Sequence, residues 1–223
     1  MSNEDIINFL KELKENNYRE WFHNNKKRYD ALKAFFLEDV QQLINQIALF
    51  DPEVAGVEAK DCLFRIHRDT RFSPDKTPYK IHFAAYIARG GRKSERAGYY
   101  LHIEPGASLL SGGIWMPQSD LLKKIRQDVF DQIEEFTGIL EEPAFKKIFP
   151  TLDGDTLKRN PVGFPDSPYN DIIRHKDFCV VSYKPDSFFT NKKWKEETIK
   201  VYKKLHTFNK FLNYSVDDHY GLF

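Results

Sequence analysis

The sequence has 223 residues, with 34 Lys plus Arg against 33 Asp plus Glu and a formal charge of +1. So even a balance excludes a whole-protein electrostatic pull towards nucleic acid or anionic membrane. Hydrophobic residues make up 41% and aromatics 15%, with 19 Phe and 11 Tyr, which is enough for a sizeable core and too much for disorder.

Cys62 and Cys179 are the only cysteines, each in a strand-like run. Such sparse cysteines fit buried thiols in a reducing compartment better than a disulfide scaffold. The acidic start, Met1 to Ile7, opens a helix rather than a leader. No apolar run approaches the roughly 20 residues that span a bilayer, so a cytoplasmic location without membrane contact is expected.

Ser2 or Asn3 caps a first helix with Ile6, Ile7, Phe9, Leu10 and Leu13 on one face, and Asn16-Asn17 breaks it. A longer helix follows over 19–49, with Phe22, Tyr29, Leu32, Phe36, Val40, Leu43 and Ile47 stepping by three or four until Asp51-Pro52. The period changes to two at Leu63, predicting strands over 63–67 and 79–88 joined by a turn-rich connection, Ser73 to Pro78.

Gly90 to Gly98, carrying Arg92, Lys93, Glu95 and Arg96, reads as an exposed loop into a strand over 99–104. Pro105-Gly106 turns the chain into an extended segment, Leu109 to Met116, where Gly112-Gly113 marks a bulge or a close backbone approach. Ser119 or Asp120 caps a helix over 120–140, and a short helix covers 144–149. Residues 150–176 read as irregular, 178–183 as the last strand, and 192–211 as a closing helix.

No linker separates two cores, so one α+β domain over 1–223 is expected. Two helical blocks around a strand-rich middle predict a mainly antiparallel sheet of about four to six strands with helices packed against it.

The densest chemistry is Arg65-Ile66-His67-Arg68-Asp69-Thr70-Arg71-Phe72-Ser73-Pro74-Asp75-Lys76-Thr77-Pro78-Tyr79-Lys80. With Asn17-Tyr18-Arg19-Glu20-Trp21-Phe22, Gly112-Gly113-Ile114-Trp115-Met116-Pro117 and Asn160-Pro161-Val162-Gly163-Phe164, it resembles a widespread microbial family known only as a domain of unknown function. The matching segments run from near residue 5 to near residue 215. The resemblance implies one domain and supplies no reaction, catalytic residue or cofactor.

Two readings of the 65–80 segment stay open. Its charges can pair internally, Asp69 with Arg65, Arg68 or Arg71, and Asp75 with Lys76 or Lys80. That makes it structural, or a non-catalytic module docking an acidic partner. Alternatively Arg65, Arg68, Arg71, Lys76 and Lys80 outnumber Asp69 and Asp75, leaving cations for an anionic phosphate- or carboxylate-bearing small molecule, with Tyr79 beside them. A bend near Arg68-Asp69 then brings the three guanidiniums together, at least two of them lining a pocket. Nucleic acid is not expected, because no recognition motif accompanies the charges.

A third reading, a metal-binding enzyme, comes from strand parity. If Ile81, Phe83 and Ala85 face the core, then His82 faces away, with His102, Glu104 and Tyr100 on that same face and His67 beside them. Imidazoles and a carboxylate are zinc ligands, and a one-residue slip in register would scatter the set. Trp21, Trp115 and Trp194 read as core anchors, and Asp217 to Tyr220 as a solvated tail. No Walker loop, nucleophile elbow, paired CxxC or HExxH helix occurs.

Overall fold

The computed structural model describes residues 1–222. In chain order the elements are α1 (Asn3–Glu15), α2 (Arg19–Asn24), α3 (Lys26–Ile47), α4 (Ala59–Cys62), β1 (Phe83–Ile87), β2 (Gly98–Ile103), β3 (Leu109–Ile114), α5 (Ser119–Asp131), α6 (Ile133–Glu141), α7 (Pro143–Ile148), β4 (Leu152–Asp153), α8 (Asn170–Ile173), β5 (Phe178–Tyr183), α9 (Asp186–Thr190) and α10 (Trp194–Tyr220). Among the described residues five strands form one antiparallel sheet in the order β1-β2-β3-β5-β4, the α+β architecture expected. No described helix is long and apolar enough to cross a membrane.

The chain divides into two compact units whose segments interleave. The first comprises Met1–Arg92, Tyr100–Leu110 and Tyr183–Ile199. Ser2 caps α1 through a reciprocal box with Asp5, as its sequence position predicts, and Ile6, Phe9, Leu10 and Leu13 are completely buried. The expected helix over 19–49 is instead two helices. Asn25 turns its side-chain amide back onto the Trp21 carbonyl at 2.9 Å, competing with the helical ladder, and its backbone leaves the helical region. From α3, Tyr29 and Phe36 reach Phe83 of β1, with ring centroids 5.8 and 5.4 Å apart.

The second unit comprises Lys93–Tyr99, Ser111–Ser182 and the chain from Lys200 onward. Phe136 is its aromatic centre, with Phe178, Phe208 and Phe211 at 6.0, 5.8 and 5.1 Å. The expected helix over 120–140 breaks at Gln132, and Glu134 and Glu135 then occupy the first turn of α6, where the helix dipole favours acids. Neither Ser119 nor Asp120 caps α5; Gln118 is the N-cap and makes no side-chain bond there.

Three further expectations are corrected in this unit. Asp217 to Tyr220 are the last turns of α10 rather than a solvated tail, because Asp217 pairs with the buried Arg96 and Asp218 with Lys124. Arg96 is therefore not part of an exposed loop. Trp115 is 74% exposed and anchors no core, since β3 ends at Ile114 and Met116 turns away with φ 49° and its N–H on Asp177 at 2.5 Å. Trp194 is buried, and Trp21 is half-buried against Phe9.

The paired glycines of β3 are a close approach. A Cβ on Gly112 would collide with the Leu205 side chain, and one on Gly113 with the Phe178 carbonyl oxygen on β5. Gly113 also has φ +104°, which disfavours a side chain. Replacing Gly113 by Ala should lower unfolding free energy by at least about 2 kcal/mol in urea titrations. An unchanged midpoint would show that β3 does not need this approach.

Candidate functional site

Residues 63–82 approach β1 without completing a strand. Bridges form at Leu63↔Ala85 and His67↔Tyr79 only. Four steps separate the bridged positions on one side and six on the other, so surplus residues between Tyr79 and Ala85 leave the ladder. The expected strand over 63–67 is therefore an extended segment, and the strand expected over 79–88 starts only at Phe83.

Asn17 holds the segment in place. Its side-chain amide accepts from the Tyr79 N–H at 3.1 Å and donates to the Tyr79 carbonyl at 2.9 Å. The Tyr79 ring stacks on Phe22 at 4.0 Å. The Tyr79 backbone is thereby satisfied as a neighbouring strand would satisfy it, and Lys80 and His82 take their positions from it.

Beside this segment lies a depression of about 590 Å³, lined within the first unit by Lys14, Asn17, Arg68, Tyr79, Lys80, His82 and Glu104 among others. The Arg/Asp network at its edge is largely self-paired. Arg68 donates to Asp75 and Thr77, and Arg71 grips Asp69 from Nε and Nη2 at 3.0 and 2.7 Å. Each arginine holds its carboxylate well below the usual range, to about 2 for both Asp69 and Asp75. Lys76 donates to the Thr70 carbonyl at 2.9 Å.

One of the three arginines, Arg68, lines the depression, rather than two. Arg71 turns outward with its side chain 77% exposed, because its nearest acid, Asp69, is two residues away on the same loop. Asp69 thus gathers one guanidinium, not three. Tyr79, Asp69 and Asp75 also line the depression, whereas Arg65 and Lys76 do not.

Three cations of the segment remain without a carboxylate: Lys76, which has only the Thr70 carbonyl, and Arg65 and Lys80. Among the described residues none lies within ion-pair reach of Arg65 or Lys80. Lys80 is half-buried, its ammonium 5.3 Å from the Phe64 ring centroid. Burial first, and the nearby Arg65 charge second, push its pKa below the ordinary lysine value.

On the same wall stand His82 and Glu104, with His102 beside them. Each offers one ligand atom, all within 4.8 Å of one another. His102 Nε2 lies 2.8 Å from Glu104 Oε2, and its Nδ1 lies 2.9 Å from the Tyr100 hydroxyl. His82 Nδ1 is 3.6 Å from the same Glu104 oxygen, too long for a hydrogen bond. Burial, then His102 and Lys80, depress the His82 pKa to about 3, and burial lowers that of His102 against the opposing pull of Glu104. Burial thus favours the neutral form of both rings beside Glu104.

Alternation along β2 puts Tyr100, His102 and, just past the strand, Glu104 on one face. Ser108 locks the turn after them, accepting from the Glu104 N–H at 3.0 Å and donating to its carbonyl at 2.8 Å. His67 does not join the set. Its ring lies 5.2 Å from Tyr79 and 6.0 Å from Phe22, on the face of its bridge partner Tyr79, whose parity is that of Ile81 and Phe83 and not of His82.

Sequence reading missed Lys14, Asn17, Thr77 and Ile81 as lining residues. Asn17 had a signal: Asn16 alone suffices to end α1, leaving the second asparagine without a local task.

The site and fold define an α+β protein with a polar cleft beside an antiparallel sheet. Residues 5–211 match the conserved hypothetical protein family DUF2461, and the chain belongs to that family. Neither a curated protein nor a solved structure matches it.

Replacing Asn17 by Ala removes two hydrogen bonds from the Tyr79 backbone and should cost about 1–3 kcal/mol. Hydrogen exchange should then accelerate at the Tyr79 amide before any change in the second unit. Unaltered protection at Tyr79 would contradict the clamp.

Proposed function

We propose that this cleft binds the phosphate or carboxylate group of an anionic small molecule, with Lys80 as its principal cation. The observation that carries the reading is the unpaired, half-buried Lys80 on the cleft wall beside like-charged Arg65. A cation removed from water without a counter-charge is costly, and an anion there would offset both the desolvation and the repulsion. The even total charge supports a small ligand over nucleic acid.

Within this reading Arg68, Arg71, Asp69 and Asp75 shape the loop, and Arg65 supplies field rather than contact. The self-pairing of those residues supports the alternative of a non-catalytic interaction module, in which the loop docks an acidic partner. A one-domain organisation belongs to the same proposal. Both β2 and β3 contribute residues to each unit, which supports a single calorimetric transition.

Inorganic phosphate at about 100 times its dissociation constant should stabilise the protein by about 2.7 kcal/mol, a rise in Tm of roughly 5–10 °C. Lys80→Gln should abolish the rise while leaving the anion-free Tm nearly unchanged. Arg71→Ala should keep it. Equal loss in both variants, or no rise in the wild-type protein, would defeat the proposal in favour of the interaction module.

A further inference from the structure

His82 is a part-buried imidazole to which no described residue hydrogen-bonds; Glu104 Oε2 lies 3.6 Å from its Nδ1. Its side chain keeps 23% of its exposure and lines the cleft, so the ring is open to a further partner. The two imidazoles also crowd each other, with centroids 4.3 Å apart. The two rings and the Glu104 carboxylate thus converge on one small volume beside the cleft.

We propose that His82, His102 and Glu104 bind a divalent first-row transition ion of the zinc class. A zinc ion sits about 2.0–2.2 Å from nitrogen and oxygen ligands, so tetrahedral ligands stand ~3.4 Å apart. The observed separations from Glu104 Oε2, 2.8 Å to His102 Nε2 and 3.6 Å to His82 Nδ1, bracket that spacing. All three ligand atoms lie within 4.8 Å of one another, so side-chain shifts of up to about an ångström would admit the ion. Two nitrogens with one carboxylate oxygen select zinc or its neighbours over magnesium and calcium, which favour all-oxygen sets.

Tyr100 completes the arrangement. Without metal, His102 carries its proton on Nε2 and donates to Glu104, while the Tyr100 hydroxyl donates to Nδ1. With the ion on Nε2, that proton resides on Nδ1 and the Tyr100 oxygen accepts it, the outer-shell contact that fixes a ligating tautomer. Three protein ligands leave a coordination position open, and His82 and Glu104 both line the cleft. The inference does not depend on anion binding.

The test uses full-length protein without a polyhistidine tag, treated with chelator and titrated with Zn²⁺ alone by calorimetry, with Co²⁺ absorption as a second readout. One equivalent should bind with sub-micromolar affinity and give visible d–d bands. His102→Ala and Glu104→Gln should each weaken binding at least about 100-fold, and Tyr100→Phe about tenfold. Lys80→Gln should bind zinc like the wild type, which separates this site from the anion site. Circular dichroism and the metal-free Tm report whether each variant is folded. Glu104→Gln preserves side-chain shape if His102→Ala does not fold. Absence of stoichiometric binding, or unchanged affinity in folded ligand variants, would overturn the proposal.

Discussion

The cleft depends on one side-chain amide doing the work of a β-strand. Asn17 pairs with both backbone groups of Tyr79 at a point where the chain has left the regular ladder. Without that pairing, a half-buried N–H and carbonyl would lack partners, and the segment carrying Lys80 and His82 would have no fixed path. The Phe22–Tyr79 stack adds apolar burial to the same contact, and Phe22 lies in the same short stretch of chain as Asn17. A capping-type residue at the end of α1 thus sets the geometry of a loop more than sixty positions later.

Asparagine is used in the same way in the second unit. Asn213 pairs with the Ala97 N–H at 2.7 Å and its carbonyl at 3.2 Å, and Asn209 donates to the Gly98 carbonyl at 2.9 Å. These bonds, with the Arg96–Asp217 pair, give the last turns of α10 a reason to stay helical. Hydropathy period carries no trace of them, because they involve polar atoms whose partners are far away in sequence. That is why the closing helix reads as ending near Phe211 and the final acids read as solvated.

Where packing alone decides, the sequence was legible. The stripe Ile6, Phe9, Leu10 and Leu13, the alternation Tyr99, Leu101 and Ile103, and the strand at Phe178–Tyr183 all stand as their periods imply. Helix breaks at Asn25 and Gln132 were not legible, since local amide competition and a new acidic first turn leave the apolar period almost intact. At the site, parity located His82, His102 and Glu104 correctly as neighbours because β2 is regular. It failed for His67, because His67 bridges Tyr79 and bridged residues share a face, the face of the odd-numbered core set and not of His82. Counting charges showed that cations exceed carboxylates over 65–80, but not which cations stay unpaired. Short loops pair nearest neighbours first, so Arg71 takes Asp69, Arg68 takes Asp75, and Lys80 is left on the cleft wall.

One wall of the cleft therefore brings an uncompensated ammonium next to two imidazoles and a carboxylate. In the proposed reading the ammonium would attract an anionic group, and the nitrogen–oxygen set would hold a metal ion whose open face meets that group. The central claim is that Lys80, held by the Asn17 clamp, receives an anion. It is tested most directly by titrating isotopically labelled protein with inorganic phosphate and following the Lys80 side-chain ammonium and the amides of residues 79–82 by NMR. The account predicts saturable shifts centred on Lys80 and on the Asn17 side-chain amide. Shifts scattered over exposed lysines, or confined to the Arg71 loop, would contradict it.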